Sequence, residues 1–177
     1  MTEPDYVIKI CLLGEANVGK TSLVYRFIEN QFRDNYKSTL GVNLLKKDLN
    51  IEGYGGVAAT IWDLGGQESF RSLRKLYLEG ANGALVIFDW TQKESFLKLE
   101  SWIQDFRLER ENEPILLIGN KDDLKDKKKV SKNDPLELAR RYGLNFLSTS
   151  AKTGSNVEEA FNSVTKTILD SQLAKSS

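Results

Sequence analysis

The 177-residue chain contains no histidine and only one cysteine, Cys11. The lack of histidine excludes a His-containing catalytic triad, a His-ligated zinc site and an imidazole general base. One cysteine cannot form an internal disulfide, which is typical of a reducing compartment, and we expect a cytoplasmic protein in which Cys11 is an inert buried thiol. Any chemistry must therefore rest on carboxylates, lysines, hydroxyls, amides, the backbone and a bound cofactor or ion.

Net charge and long apolar segments are also missing. Lys and Arg total 25 and Asp and Glu total 25, so we expect no binding of nucleic acid through bulk charge. The longest apolar runs, residues 7–13 and 84–88, are too short to span a bilayer. Neither end carries a signal peptide or a lipidation motif, so we expect no intrinsic membrane anchor in this chain.

What is present indicates a globular α/β domain. Short apolar runs predict strands, and amphipathic stretches between them predict helices. The later strands are apolar throughout, which is typical of parallel strands covered on both faces, and the glycine-rich segment 52–56 predicts a hairpin. The predicted strands are residues 7–13, 41–51, 57–62, 84–88, 115–118 and 145–150.

These elements predict a six-stranded, mostly parallel sheet with one antiparallel edge hairpin and helices on both faces. A single helix is predicted around residues 96–106, and another is expected to start with Asp134 as its N-cap. The domain is expected to fill residues 1–177, with short flexible termini at 1–5 and 171–177.

Residues 14–21 read GEANVGKT and fit the pattern GxxxxGK[ST] between a predicted strand and a predicted helix. In such a loop, backbone N–H groups turn inward at an anion, and the helix N-terminus adds positive potential. Lys20 would supply a cation for the terminal phosphates, and Thr21 a hydroxyl for Mg²⁺. A glycine-rich turn without a ligand is the alternative, which the strand-to-helix context disfavours. The residues expected to contact a nucleotide here are Gly14, Glu15, Ala16, Asn17, Val18, Gly19, Lys20, Thr21 and Ser22.

Two polar motifs follow the last two predicted strands. One reads NKDD and begins at Asn120, and the other reads SAK and begins at Ser150. Ligands of open α/β sheets bind at the carboxyl ends of strands, where both motifs lie. A carboxylate such as Asp123 can accept from the two donors on one edge of guanine, whereas adenine would oppose it with an acceptor.

With these residues in view, the chain resembles the Ras superfamily of small GTPases. Asn120-Lys121-x-Asp123 and Ser150-Ala151-Lys152 are similar to the family's guanine-reading motifs. Residues 62–68 (WDLGGQE) resemble its second switch, and residues 36–42 (YKSTLGV) resemble its first switch in Rab-like form. The resemblance runs from about residue 6 to 169 with the motifs in family order, and it is closest to the Rab family.

The resemblance implies a P-loop small G domain that binds GTP and GDP with Mg²⁺ and slowly hydrolyses GTP. It implies a monomer that binds effector, exchange-factor and activating proteins through its switch regions, in signalling or vesicle trafficking. Gln67 would orient the attacking water, with Lys20 and Gly66 completing the catalytic set. Thr21, Thr39 and Asp63 would hold Mg²⁺.

The resemblance also implies which further residues contact the nucleotide or the effectors. Leu44, Trp62 and Tyr77 match the apolar effector-binding triad, although packing in the core is an open alternative for Leu44 and Trp62. The remaining residues expected to contact the nucleotide are Phe32, Tyr36, Thr39, Gly66, Asn120, Lys121, Asp123, Ser150, Ala151 and Lys152.

Three positions depart from the usual family pattern. Leu64 stands where Thr is usual, Gly65 gives an Arf-like Gly-Gly-Gln, and Ala16 places a methyl near the position where Gln67 must act. They leave open an alternative, a GTP-gated binding scaffold with negligible hydrolysis. A nucleotide kinase is a weaker alternative, because neither an acceptor pocket nor a basic lid is evident.

Overall fold

The computed structural model describes residues 3–30, 42–64 and 74–176. Phe32, Tyr36, Thr39, Gly66 and Gln67 lie outside the described residues. The strands are β1 Tyr6–Leu13, β2 Val42–Ile51, β3 Gly55–Leu64, β4 Gly83–Asp89, β5 Ile115–Asn120 and β6 Asn145–Ser148. The helices are α1 Lys20–Glu29, α2 Arg74–Leu78, α3 Lys93–Leu97, α4 Leu99–Glu109, α5 Asn133–Tyr142 and α6 Val157–Ser176.

The six strands form one sheet in the order β2-β3-β1-β4-β5-β6. Among the strand pairs of the described residues, only the pairing of β2 with β3 is antiparallel, and Leu44 lies directly opposite Trp62 in that pair. The other four pairings are parallel. The predicted α/β fold with an antiparallel edge hairpin is therefore confirmed.

Side chains along β1 alternate between two apolar cores because successive residues of a strand point to opposite faces. Ile8, Ile10 and Leu12 pack into the core that α1 and α6 cover. Cys11 and Leu13 pack into the other core, which includes residues of α2, α4 and α5. Burial raises the pKa of the Cys11 thiol to about 12, as expected for an inert thiol.

Three boundaries differ from those predicted. The helix around 96–106 is two helices, α3 and α4, with Lys98 between them. Helix α5 begins at Asn133 without a side-chain cap, so Asp134 is within the helix and is not its N-cap. At the chain end, α6 continues through Ser176, so residues 171–176 are helical where a flexible tail was expected.

The N-terminal segment is also partly ordered. The amide of Asp5 donates to the carbonyl of Gly56, and its carboxylate accepts from the amide of the same glycine at 3.0 Å. Among the helices that the structure describes, none combines the length and apolar composition that a membrane span needs.

Candidate functional site

The loop between β1 and α1 curls tightly against two neighbouring strands. Gly14 and Gly19 have φ angles of 148° and 98°, and Asn17 also has a positive φ. A Cβ atom on Gly14 would lie 2.3 Å from the carbonyl oxygen of Ile87, and one on Gly19 would lie 2.4 Å from Nδ2 of Asn120. Only glycine therefore fits at these two positions, which explains the spacing of the motif.

Lys20 lies inside this loop rather than on its surface. It is 5% exposed, and its Nζ donates to the carbonyl oxygens of Gly14 and Glu15, each at 2.9 Å. Burial lowers the pKa of Lys20 to about 8, opposed by the carboxylates of Asp63 and Glu15. A buried ammonium at the N-terminus of α1 creates a strong local preference for an anion.

Thr21 and Asp63 come together beside the loop. Asp63 lies in β3 and is fully buried, and its Oδ2 accepts a hydrogen bond from Oγ1 of Thr21 at 2.5 Å. A hydroxyl and a carboxylate form the hard oxygen donor set that Mg²⁺ prefers, so the residues present fit that ion. Mg²⁺ keeps several of its waters in proteins and needs few protein ligands.

Asn120, the last residue of β5, joins the phosphate loop to the two polar motifs. It is 1% exposed, and its Nδ2 donates to the carbonyl oxygen of Val18 at 3.0 Å. Its Oδ1 accepts from Oγ1 of Thr149 at 3.0 Å and from the amide of Ala151 at 3.3 Å. The Asn120 side chain thus links its own strand to Val18, 102 residues before it, and to Thr149 and Ala151, 29 and 31 residues after it.

Asp123 and Lys121 are each positioned by a partner. Oγ of Ser150 donates to Oδ1 of Asp123 at 2.7 Å. Nζ of Lys121 lies 2.8 Å from Oδ2 of the fully buried Asp89 and donates to the carbonyl of Asn17 at 3.1 Å. The side chains expected to bracket a base therefore meet at the carboxyl ends of β4, β5 and β6.

Three supporting residues were not predicted from the sequence. Asp89 could have been found, because it is the first charged residue after the buried run of β4. Thr149, which is fully buried, stands directly before the SAK motif. Arg26 of α1 donates through Nε to the carbonyl of Ala151 at 2.7 Å and also bonds the carbonyl of Lys152, and nothing in its helical setting signals this.

The sequence profile of the Ras family matches residues 9–170, which is nearly the whole chain. The chain belongs to the Ras family.

Curated relatives of this Ras-family protein carry Rab names. Ras-related protein Rab-13 from Canis lupus familiaris is 37% identical over 167 residues, which cover 93% of this chain and 81% of the relative. Ras-related protein RABA4b from Arabidopsis thaliana is 40% identical over 161 residues, covering 90% of this chain and 71% of the relative. Rab-13 from Bos taurus is 38% identical over 167 residues.

Membership of the family confirms the predicted class of protein. The chain is a Rab-like small GTP-binding switch protein of the vesicle-trafficking type, and it is a GTPase. The alternative of a scaffold with negligible hydrolysis is not favoured. Ras and Rab GTPases use GTP, GDP and Mg²⁺, and they bind regulators and effectors.

The three residues predicted to form an effector-binding triad are not equally exposed in this Ras-family chain. Leu44 is 49% exposed, so core packing is wrong for it, whereas Trp62 is half-buried. Tyr77 is only 2% exposed, and its hydroxyl donates to the backbone oxygens of Leu12 and Trp62. This burial leaves Tyr77 little surface for direct contact with a partner in the described conformation, in which its ring packs edge-to-face on Trp62 at a centroid distance of 5.8 Å.

Lys9 contributes a charge to the same face. Its Nζ lies 3.6 Å from the centroid of the Trp62 ring and donates to the carbonyl of Glu79 at 2.9 Å. Burial lowers the pKa of Lys9. A cation over an indole face is stabilising and holds the ring in one orientation.

Proposed function

We propose that the loop of residues 14–21 holds the phosphates of GTP or GDP while Asp123 reads the guanine edge. The observation that carries this assignment is the Asn120 side chain, which ties Val18 of the loop to Ala151 of the last motif. Because one buried amide holds both the phosphate loop and the last motif, the distance between the phosphate site and the base site is fixed. A single nucleotide that spans both sites needs such a fixed distance. Lys121 and Lys152 would pack beside the base, and Ser150 would orient Asp123.

Thr21 and Asp63 would hold Mg²⁺ in this site, with Thr39 as a further ligand when GTP is bound. The ion, when bound, neutralises charge on the phosphate oxygens. The Thr21 hydroxyl, which donates to Asp63 at 2.5 Å, would turn its oxygen toward the nucleotide side. Lys20 would keep its proton there, because a phosphate opposes the effect of burial on its pKa.

Hydrolysis would rest on Gln67 orienting a water and on Gly66 contacting the γ-phosphate. An amide is a weak base, so its contribution is positioning, and the intrinsic rate should be on the order of 10⁻⁴ to 10⁻² per second. Leu64 does not argue against this activity, because its side chain is fully buried in the core and pairs with Val42 in the hairpin. The presence of Leu in place of the usual Thr at position 64 therefore affects the packing of the core.

Effectors and regulators would bind the β2–β3 face and the switch segments of a monomeric chain. Val42, Leu44 and Leu76 are apolar and 42%, 49% and 70% exposed. Trp62 lies directly opposite Leu44 in the β2–β3 pairing and is held by Lys9 and Tyr77. Exposed apolar side chains around an aromatic anchor are typical of protein-binding surfaces.

A single-turnover assay tests the proposed hydrolysis. Protein loaded with GTP and Mg²⁺ should convert it to GDP and phosphate, and Gln67→Leu should slow the conversion because the positioning amide is lost. Gln104→Leu, which removes an exposed amide on α4, is the matched control and should retain the wild-type rate. Equal rates for wild type and Gln67→Leu would contradict the assignment of Gln67.

A further inference from the structure

A cavity whose lining does not include the proposed nucleotide-binding residues lies between β6, α5 and the segment that follows β5. Its volume is about 450 Å³, which is within the range of ligand-binding pockets. None of its lining residues belongs to the proposed nucleotide-binding set. The apolar walls are formed by Trp90, Val130, Leu136 and Phe146, and the polar lining by Asp122, Lys125, Lys128, Lys132 and Ser148.

The aromatic walls of this cavity are fixed by the fold. The indole N–H of Trp90 donates to Oγ of Ser148 at 2.8 Å, and its backbone amide donates to the carbonyl of Asn120 at 3.1 Å. Its ring packs edge-to-face on Phe146 at 6.0 Å. Gly119 leaves room for it, since a Cβ there would lie 2.7 Å from the indole nitrogen. A preformed cavity costs its occupant little ordering entropy.

The charge at this cavity is positive. Asp122, which is the sole acidic side chain of the lining, is already paired with Lys125 at 2.7 Å and Lys128 at 2.6 Å. Three lysines against one carboxylate leave a net charge of +2 in the lining. Lys132 also stands at the N-terminus of α5, where the helix dipole adds to this potential. Two lysines of the basic segment 125–129, Lys125 and Lys128, thus help to line the cavity.

An apolar interior with a cationic lining favours a ligand that has an apolar group for the interior and anionic groups for the lysines. Leu136 is 50% exposed beside Lys132, so the apolar character extends outward along α5. An inorganic anion could pair with the lysines but would leave the exposed apolar side chain of Leu136 uncovered. Protein interfaces instead insert an apolar anchor into a pocket and place charged residues around it.

We propose that this cavity binds an acidic peptide segment of a partner protein. One aromatic or branched aliphatic side chain of the segment packs against Leu136 and Phe146, the two apolar lining residues that are not buried. Its flanking carboxylates pair with Lys125, Lys128 and Lys132. None of the lining residues belongs to the predicted switch segments or contacts the nucleotide in the proposed site, so the full chain can be tested directly, without added nucleotide and after addition of GDP and Mg²⁺.

The test uses NMR titration of the Trp90 indole N–H with the peptide acetyl-Glu-Asp-Phe-Asp-Glu-amide. The resonance should shift saturably, because its environment is the wall of the cavity. The same peptide with Ser in place of Phe, and one with Lys in place of the acidic residues, should bind at least tenfold more weakly. Binding of all three with similar affinity, or shifts confined to other residues, would overturn the proposal.

Surface variants separate the cavity from general charge attraction. Leu136→Ser and Lys132→Glu should each weaken binding of the acidic peptide about tenfold. Leu108→Ser, at a residue 82% exposed on α4, and Lys127→Glu, which does not line the cavity, are the matched controls and should change it by less than threefold. A further outcome would overturn the proposal in favour of a lipid surface: the peptide fails to bind, and phosphatidylserine vesicles bind wild type and Leu136→Ser equally.

Discussion

The side chain of Asn120 should be a main source of stability for the site, and Asn120→Ala tests this. The substitution removes three hydrogen bonds, to Val18, Thr149 and Ala151, in a place that is 1% exposed. Each net hydrogen bond contributes about 1 kcal/mol, and the partners left behind are themselves buried. We expect the free energy of unfolding to fall by about 3 kcal/mol, a large share of the roughly 5–15 kcal/mol typical of a domain.

Urea denaturation of nucleotide-free protein in EDTA measures this change. With a denaturant slope of about 2 kcal/mol/M, the midpoint of Asn120→Ala should lie about 1.5 M below that of wild type. Thr149→Val removes one of the three bonds and should lower the midpoint by about 0.5 M.

A double-mutant cycle provides the control. Asn120→Ala and Thr149→Val should be coupled by about 1 kcal/mol, since they share a hydrogen bond. Thr165→Val removes an equally buried hydroxyl that donates to the carbonyl of Phe161 within α6, far from Asn120 in the sequence, and its effect should add independently to that of Asn120→Ala. The reasoning is refuted if Asn120→Ala shifts the midpoint no more than Thr149→Val does.

Three other consequences can be measured in the same way. Between pH 8 and 10.5 the unfolded chain binds a proton at Lys20 that the folded chain has lost, because burial lowers the pKa of Lys20 to about 8 from 10.5. The free energy of unfolding of nucleotide-free wild type, measured by urea titration relative to that of Lys20→Met, should therefore rise by about 2 kcal/mol from pH 7 to 9.5. A difference between the two proteins that does not change with pH would contradict the burial of Lys20. Gly19→Ala should prevent binding of a fluorescent GDP analogue, because its Cβ would meet Asn120 at 2.4 Å, and wild-type affinity would refute the tight loop. The Cys11 thiol should react with a thiol reagent at pH 8 only after unfolding, and rapid reaction of the native protein would show that it is accessible.

The sequence predicted the sheet because its strands are short apolar runs separated by polar turns. It predicted the phosphate loop because glycine spacing is a direct requirement of that backbone, as the close approach of Gly19 to Asn120 shows. Both signals are local, so one sequence is enough to find them. The two polar motifs could be placed at one edge of the sheet for the same reason, since each follows a recognisable strand.

What the sequence did not predict depends on contacts between distant segments. Arg26 donates to the carbonyl of Ala151, which is 125 residues away in the sequence, and Lys121 pairs with Asp89, which is 32 residues away. The hydrophobic periodicity of the sequence predicts neither contact. Tyr77 was predicted by resemblance to bind effectors, yet it is buried, with its ring packed edge-to-face on Trp62. Exposure of an aromatic residue depends on its neighbours in space, which the sequence alone does not show.

The central claim is that Asp123 selects guanine beside a loop that holds the phosphates. Equilibrium binding of GDP, ADP and xanthosine diphosphate to wild type, Asp123→Asn and Asp122→Asn tests it most directly. Wild type should prefer GDP to ADP by about 10³-fold or more, and Asp123→Asn should exchange guanine for xanthine, whose extra carbonyl accepts from an amide. Asp122→Asn should keep the wild-type preference, because Asp122 pairs with Lys125 and Lys128. A wild type that binds ADP as tightly as GDP, or an Asp123→Asn variant that still prefers GDP, would contradict the account.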